Sequence, residues 1–182
     1  NNTEERKTVS GFVHLHLHSE YSLLDGACRI NEIAEAAARE GHCAVALTDH
    51  GAMYGAVEFY RACKAAEVKP IIGCEVYVAP KSRFDRDPAA KYNHLVLLVE
   101  NEIGYRNLCR MVSLSFTEGF YSKPRVDYEL LTEYSEGLIA LSGCLGGIVP
   151  SMILASDFDG ALREAERLRD IFGKDSFYLE LQ

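Results

Sequence analysis

The stretch Leu95-Val96-Leu97-Leu98-Val99 contains five apolar residues in a row. A strand with one face in water alternates apolar and polar side chains, so an unbroken apolar run predicts a strand that is covered on both faces. Such runs recur along the chain, and segments with helical spacing separate them. They predict strands over residues 11–17, 43–48, 70–79, 94–99, 137–141 and 177–181, and helices over 30–40, 54–67, 103–116, 127–134, 148–154 and 158–172. This alternation favours an α/β fold with a parallel sheet.

The composition is typical of a globular protein. The 182 residues are 48% hydrophobic and 25% charged, which is enough for one domain with a sizeable core. No run of about 18 apolar residues is present, so we expect no membrane-spanning segment. Residues 1–10 are polar and lack the apolar core of a signal peptide. We therefore interpret them as a flexible lead-in and place the domain at residues 11–182.

The charge balance restricts the function. The chain has 19 Lys and Arg against 27 Asp and Glu, a net charge of −8. Its basic residues are scattered, which argues against broad binding of a phosphate backbone by this chain alone. Six cysteines at irregular spacings, with no C-x-x-C pair, indicate reduced thiols in a cytoplasmic protein, several of them small core residues. We expect no disulfide among them.

Three of the six histidines lie within His14-Leu15-His16-Leu17-His18-Ser19-Glu20. Alternate residues of a strand share a face, so His14, His16 and His18 are expected on one side at the end of the first strand. Neutral imidazole is the commonest metal ligand, and three imidazoles on one face favour a metal site. The alternatives are the polar face of a surface strand or a stacked core histidine.

The segment Ala46-Leu47-Thr48-Asp49-His50-Gly51 ends the second predicted strand. Functional groups of barrel-like α/β proteins gather at the carboxyl ends of strands. His50 is therefore a candidate metal ligand. Asp49 is a candidate for accepting the second ring N–H of a ligand histidine, which would fix the tautomer of that ring. A helix N-cap is the alternative for Asp49.

Four further residues carry ligand chemistry. Glu75 lies inside an apolar run, where a carboxylate is costly to bury unless it is paired or ligating. Cys144 follows the fifth predicted strand, and a thiolate is a good zinc ligand. Asp25 lies in the loop after the first strand, where an ordinary turn residue is the alternative. His94 begins its strand, away from the expected carboxyl ends, so its position makes it the weakest candidate.

There are more candidate ligands than one tetrahedral zinc ion can bind, so they predict a multinuclear cluster. Such clusters clamp phosphate oxygens and generate hydroxide at neutral pH. The full set is His16, His18, Asp25, His50, Glu75, His94 and Cys144.

The sequence resembles the PHP (polymerase and histidinol phosphatase) superfamily in three segments. These are His16-Leu17-His18-Ser19, Leu47-Thr48-Asp49-His50-Gly51 and Gly73-Cys74-Glu75. Longer stretches, at residues 12–26, 50–60, 69–77 and 142–147, are similar to the alpha-subunit family of bacterial DNA polymerase III. The resemblance covers residues 11–182.

The resemblance implies a distorted (β/α)7 barrel with up to three divalent ions, Zn²⁺ or Mn²⁺, on the seven candidate ligands. It supports His94, which position alone makes the weakest candidate, and it implies that His14 is a neighbour rather than a ligand. The family closes its site with an Asp-x-His motif beyond residue 182, so we expect a barrel that is incomplete at its C-terminus and that binds metal more weakly. The resemblance also implies Mg²⁺ for polymerisation, which we expect in regions of the family outside the stretch matched here.

Two functions follow from the resemblance. The first is metal-dependent hydrolysis of phosphodiesters, a 3′–5′ exonuclease that proofreads DNA-directed DNA synthesis by the whole subunit during DNA replication. The second is a structural domain that docks a separate proofreading exonuclease and has no hydrolytic activity. A stand-alone phosphatase such as histidinol phosphatase fits the longer stretches least. Through the full-length subunit, the implied partners are DNA, a proofreading exonuclease and the sliding clamp.

Overall fold

The computed structural model describes residues 11–181, so the predicted lead-in at residues 1–10 lies outside the described residues. Helices and strands alternate along most of the described chain. In order they are α1 (Ile30–Arg39), β1 (Ala44–Leu47), α2 (Ala56–Ala65), β2 (Lys69–Val78), β3 (Asn93–Val99), α3 (Glu102–Thr117), β4 (Arg125–Val126), α4 (Tyr128–Glu133), β5 (Leu138–Leu141), α5 (Ile148–Leu154), α6 (Phe158–Phe172) and β6 (Phe177–Tyr178). The six predicted helices are all present, and α5 and α6 have the predicted bounds.

The sheet is mixed rather than parallel. Its strand order is β1-β2-β3-β5-β6, with β4 paired to β2. The pairs β1–β2, β2–β4 and β5–β6 are parallel, whereas β3 runs antiparallel to both β2 and β5. The prediction of a parallel sheet is therefore wrong for β3. The physical reason is that residues 79–92, which join β2 to β3, contain no crossover helix to bring the chain back for a parallel strand.

Residues 11–17 lie beside β1 but do not form the regular strand that the sequence predicts. The Ala46 amide donates to the His14 carbonyl and the Thr48 amide to the Leu17 carbonyl, both at 2.8 Å. The Leu17 amide instead donates to the Thr48 hydroxyl, also at 2.8 Å. Because a side-chain acceptor replaces a backbone one, the ladder is interrupted while the segment stays attached to β1.

The apolar run in β3 is buried on both faces, as its sequence predicts. Leu95 and Leu97 pack into the cluster that includes residues of α3 and α6. Val96 and Leu98 point the other way and pack with Ala46 of β1. Each such side chain stabilises the fold by about 1.5–3 kcal/mol on burial, which fixes β3 in the middle of the sheet. In the part of the chain that the structure describes, no helix has the length and apolarity needed to cross a bilayer.

Candidate metal centre

The candidate site is built around the carboxylate of Glu75, which is 0% exposed in the middle of β2. Oε1 lies 3.4 Å from His16 Nε2 and 2.9 Å from His94 Nδ1. Oε2 lies 3.6 Å from His18 Nε2 and also contacts His50 Nδ1. The structure thus places four imidazoles around one buried carboxylate. The predicted convergence of His16, His18, His50 and Glu75 is confirmed.

Strand pairing explains how residues far apart in the chain meet here. His50 follows β1 and forms a parallel bridge with Glu75 of β2. His94 lies at the start of β3, opposite Tyr77 near the end of β2. Because β3 is antiparallel, its first residues lie at the same sheet edge as the last residues of β1 and β2. This arrangement brings His94 to the site despite its position at the start of a strand.

His16 and His18 come from the segment that runs beside β1. The His18 ring stacks on the His50 ring, with centroids 4.0 Å apart. His14 does not join them, contrary to the predicted shared face. Its ring instead makes edge contacts with Phe12 and His42, at centroid distances of 4.8 and 5.4 Å. The alternation of a strand fails at His14 because residues 11–17 are not regular β structure.

Cys144 and Asp25 lie at the margins of the cluster. The Cys144 sulfur is 3.8 Å from Glu75 Oε1 and 3.9 Å from His94 Nδ1, in the loop that follows β5. Asp25 is more exposed, and its Oδ2 lies 2.9 Å from His50 Nε2. All seven candidate ligands therefore belong to one connected set of side chains, with Asp25 joined to it through His50.

Asp49 does not contact a histidine ring, so the predicted hydrogen bond to a ligand is wrong. It is 2% exposed and accepts from the Ser19 amide at 2.6 Å, the Ser19 hydroxyl at 2.8 Å and the Ser22 hydroxyl at 2.8 Å. The alternative of a helix N-cap is wrong as well, since α2 begins at Ala56 with Gly55 as its cap. Ser22 Oγ in turn accepts from the His50 amide and lies 3.4 Å from His18 Nδ1. Asp49 therefore fixes the loop that positions two candidate ligands.

Glu180 is a site residue that the sequence analysis did not single out. Its Oε1 lies 2.7 Å from His16 Nδ1, on the side of the ring opposite the nitrogen that faces Glu75. A signal was available, since Glu180 stands between Leu179 and Leu181 as an acid within an apolar segment. The same signal identified Glu75.

The histidines and carboxylates shift one another's pKa values. Burial acts to lower the pKa of His16, but hydrogen bonds to Glu180 and Glu75 prevail and raise it from 6.5 to about 9. The hydrogen bond to Glu75 raises the pKa of His50. Burial and the nearby charge of His50 lower the pKa of His18. Burial acts to raise the pKa of Glu75, yet hydrogen bonds from His16, His50 and His94 hold it well below its usual range.

The arrangement fits a divalent cation. Two groups of three residues could each hold an ion, because each residue offers one ligand atom and the three atoms lie within 4.8 Å of one another. The first group is His16, His18 and Glu75, and the second is His50, Glu75 and His94. His50 Nδ1 and Glu75 Oε2 are buried in direct contact with each other. A metal ion and a proton compete for the same lone pairs, so atoms that share a proton in the metal-free protein are also placed to bind one cation. Imidazole, carboxylate and thiol donors together suit zinc, manganese or iron.

Comparison with known proteins gives matches over almost the whole chain. The PHP domain family matches residues 14–182. A protein named DNA polymerase III subunit alpha from Borreliella burgdorferi is 49% identical over 176 residues, which cover 95% of this chain and 15% of that protein. A protein of the same name from Treponema pallidum is 49% identical over 174 residues, which cover 94% of this chain and 15% of that protein. This chain thus spans about 15% of the length of these relatives.

A solved structure supports the fold. An amidohydrolase from Chromobacterium violaceum, with bound sulfate and no metal, matches with a TM-score of 0.50 at 16% identity. The match covers 92% of this chain and 84% of the other. At this level of identity the likeness concerns the fold alone. Together with the family match, it confirms the predicted fold class, a mixed α/β barrel-like fold of the PHP type.

Proposed function

Because the chain belongs to the PHP domain family and is similar to the N-terminal region of DNA polymerase III alpha subunits, we propose that it is a metal-dependent phosphodiesterase. Its substrate is DNA, and its reaction is the removal of nucleotides from a 3′ end. The observation that carries this proposal is the ring of four imidazoles around the buried carboxylate of Glu75. A purely structural domain has no need for such an arrangement.

We assign the metal-binding role to seven residues and up to three ions, zinc or manganese. The residues are His16, His18, Asp25, His50, Glu75, His94 and Cys144. Bound divalent cations would supply Lewis acidity toward phosphate oxygens and lower the pKa of water. Glu75 contributes a carboxylate oxygen to each of the two groups of candidate metal ligands, so its ionised state is essential to both groups.

The remaining residues of the site hold the donors in place. Glu180 contacts the His16 nitrogen that points away from Glu75, which fixes the ring orientation. Asp49 and Ser22 hold the loop beside His18 and the His50 backbone. Burial of Glu75 and most of His16 keeps water from separating the donors, which strengthens every electrostatic interaction among them.

The wider role proposed for this domain is in DNA replication. As part of a longer DNA-directed DNA polymerase, a nucleotidyltransferase that uses Mg²⁺ elsewhere, it would meet a mispaired 3′ end and remove it. DNA, a separate proofreading exonuclease and the sliding clamp are the proposed partners of the whole protein, and the cytoplasm is its proposed location.

The test combines metal analysis with digestion of DNA. The purified protein should contain zinc or manganese by elemental analysis, and should shorten a 5′-labelled single-stranded oligonucleotide stepwise from its 3′ end. Glu75→Gln should abolish both. Glu100→Gln, which neutralises an exposed acid just after β3, should retain both.

One outcome would reverse the proposal. Full metal content without any cleavage of single-stranded or mispaired DNA would favour the alternative of a structural domain that docks a separate exonuclease.

A further inference from the structure

A second concave site lies beside the Glu75 cluster. It has a volume of about 450 Å³ and lies between the loop of residues 79–92 and the segment that leads into β4. Its walls carry two basic side chains, Lys91 and Arg125, and two aromatic rings, Tyr92 and Tyr121. None of the described residues that line it is acidic. Such a lining stands out in a chain whose net charge is −8.

The aromatic rings connect this pocket to the Glu75 cluster. The Tyr92 ring lies parallel to the His94 ring within 5°, with centroids 6.1 Å apart. It also contacts the Tyr77 ring at 4.9 Å, and Tyr77 in turn lies 6.1 Å from His50. Lys123 places its ammonium group 5.3 Å from the centre of the Tyr77 ring. A basic group therefore lies between the pocket and the candidate ligands.

Arg125 is the strongest sign that the pocket binds an anion. Its side chain is 2% exposed and donates to three backbone carbonyls, those of Gly119 at 3.1 Å, Arg83 at 3.1 Å and Asp85 at 2.6 Å. Among the described residues, no carboxylate oxygen lies within ion-pair distance of it, and the Asp85 charge acts on it only from farther away, whereas Arg83 pairs directly with Asp127. A buried cation without a direct ion pair is costly, and an anion from outside would reduce that cost.

We propose that this pocket binds one nucleotide of a single-stranded polynucleotide whose 3′ end reaches the Glu75 cluster. Lys91, Lys123 and Arg125 hold its phosphate, and its base stacks on Tyr92 or Tyr121. A base in a duplex is paired and stacked, so only an unpaired base reaches these rings. The inference rests on the proposed function and names its substrate class, single-stranded nucleic acid rather than a small phosphate ester.

The first experiment locates the contact. A single-stranded oligonucleotide that carries 5-iododeoxyuridine is irradiated with the protein in EDTA, and the cross-linked peptide is identified by mass spectrometry. The expected adduct is on Tyr92 or Tyr121. A duplex of the same sequence and a deoxynucleoside monophosphate should compete at least about 10-fold less well than the unlabelled single strand. An adduct only at other sites, or equal competition by the duplex, would overturn the proposal.

The second experiment measures the charge contribution. The double variant Lys91→Ala/Lys123→Ala should bind the oligonucleotide several-fold more weakly at low salt, as measured by fluorescence anisotropy in EDTA. The slope of log affinity against log salt should fall by about 0.7 for each phosphate that the variant no longer neutralises. The matched control is Lys64→Ala/Lys174→Ala, which removes two exposed lysines that do not line the pocket. Equal weakening in both double variants, or no binding by the unchanged protein, would contradict the inference.

A third measurement separates the pocket from the chemistry. Hydrolysis of bis(p-nitrophenyl) phosphate by the metal-loaded protein tests the Glu75 cluster without a polynucleotide. The Lys91→Ala/Lys123→Ala variant should lose affinity for the oligonucleotide by a much larger factor than it loses this activity, whereas Lys64→Ala/Lys174→Ala should change neither. Absence of the small-substrate activity in the unchanged protein, with binding intact, would count against the proposed function and leave the nucleotide pocket supported.

Discussion

Two groups of buried charged side chains in this protein follow different rules. Around Arg83, donors meet acceptors, since its Nη1 donates to both oxygens of Asp127 and its Nε donates to Glu118. Around Glu75, four imidazoles converge on one carboxylate, and the lone pairs that share protons there are also available to a metal ion. The first arrangement is complete within the protein. The second gains a partner for its lone pairs when a cation binds.

The difference separates a structural role from a functional one. A buried ion pair whose hydrogen bonds are satisfied holds its elements together, and its removal destabilises the fold. A buried set of converging metal-ligating side chains contributes less to the stability of the fold and more to the binding of a metal ion. The four predictions below test this distinction, because each variant should change one property and leave the other almost unchanged.

The largest effect is expected at Asp127. This residue caps α4 through the Leu130 amide and is the main counter-ion of buried Arg83. Asp127→Ala leaves that guanidinium without its main partner and should lower the free energy of unfolding by about 3–5 kcal/mol. Glu129→Ala, which removes the exposed partner of Arg83, should cost less than about 1 kcal/mol. Urea denaturation of both variants measures the difference, and equal destabilisation would contradict the structural role of Asp127.

Glu75 should show the opposite behaviour. Glu75→Gln removes the carboxylate shared by both groups of donors, and zinc affinity should fall by at least about 100-fold. The metal-free protein should keep its fold, because glutamine has nearly the same shape. Competition with a fluorescent chelator gives the affinity, and circular dichroism gives the fold. Glu100→Gln serves as the control, and a Glu75→Gln variant that binds zinc normally would show that the cluster is not a metal site.

The stability of the metal-free protein should depend on pH through His16. The pKa of this side chain is about 9 in the folded protein, against an ordinary value of 6.5 in an unfolded chain. The stabilisation is therefore fully present below pH 6.5 and is lost as the pH rises toward 9. Its size is on the order of 1–3 kcal/mol.

Thermal melts in EDTA between these pH values measure the His16 effect. Glu180→Gln removes one carboxylate that raises the pKa of His16. The stability of this variant should therefore fall at a lower pH than the stability of the unchanged protein. A stability that rises over this range in the unchanged protein would refute the assignment.

The smallest effect is expected at Asp49, which acts through the loop it holds. Asp49→Ala removes the acceptor for Ser19 and Ser22 but no candidate ligand. We expect metal affinity to fall by about 10-fold, the lower end for residues that orient ligands. Ser22→Ala should give part of the same effect, because it breaks the link to His18 and the His50 amide. Isothermal titration with zinc distinguishes this indirect effect from the loss of a direct metal ligand. Removal of a direct ligand should reduce the number of bound ions as well as the affinity.

The helices and most strands were predictable because their signals are local. Apolar spacing predicted α5 and α6 with their observed bounds, and the apolar run in β3 predicted burial on both faces. The strand predicted over residues 11–17 and the missed β4 depend on pairing with a neighbour. β4 has two residues, Arg125 and Val126, and exists only because they pair with Tyr77 and Val78. A segment this short carries no periodicity of its own.

The sequence by itself determined which residue types are available for chemistry. Histidines at alternate positions and acids inside apolar runs are groups that are costly to bury unless they are paired or bind a metal. Tertiary structure alone decided which of them meet. It reversed β3 and so brought His94 to the site, and it turned His14 toward Phe12 and His42. It also placed Glu180 against His16 across 164 positions of the chain. Strand direction and long-range contacts depend on the packing of the whole sheet, which no local pattern of residues specifies.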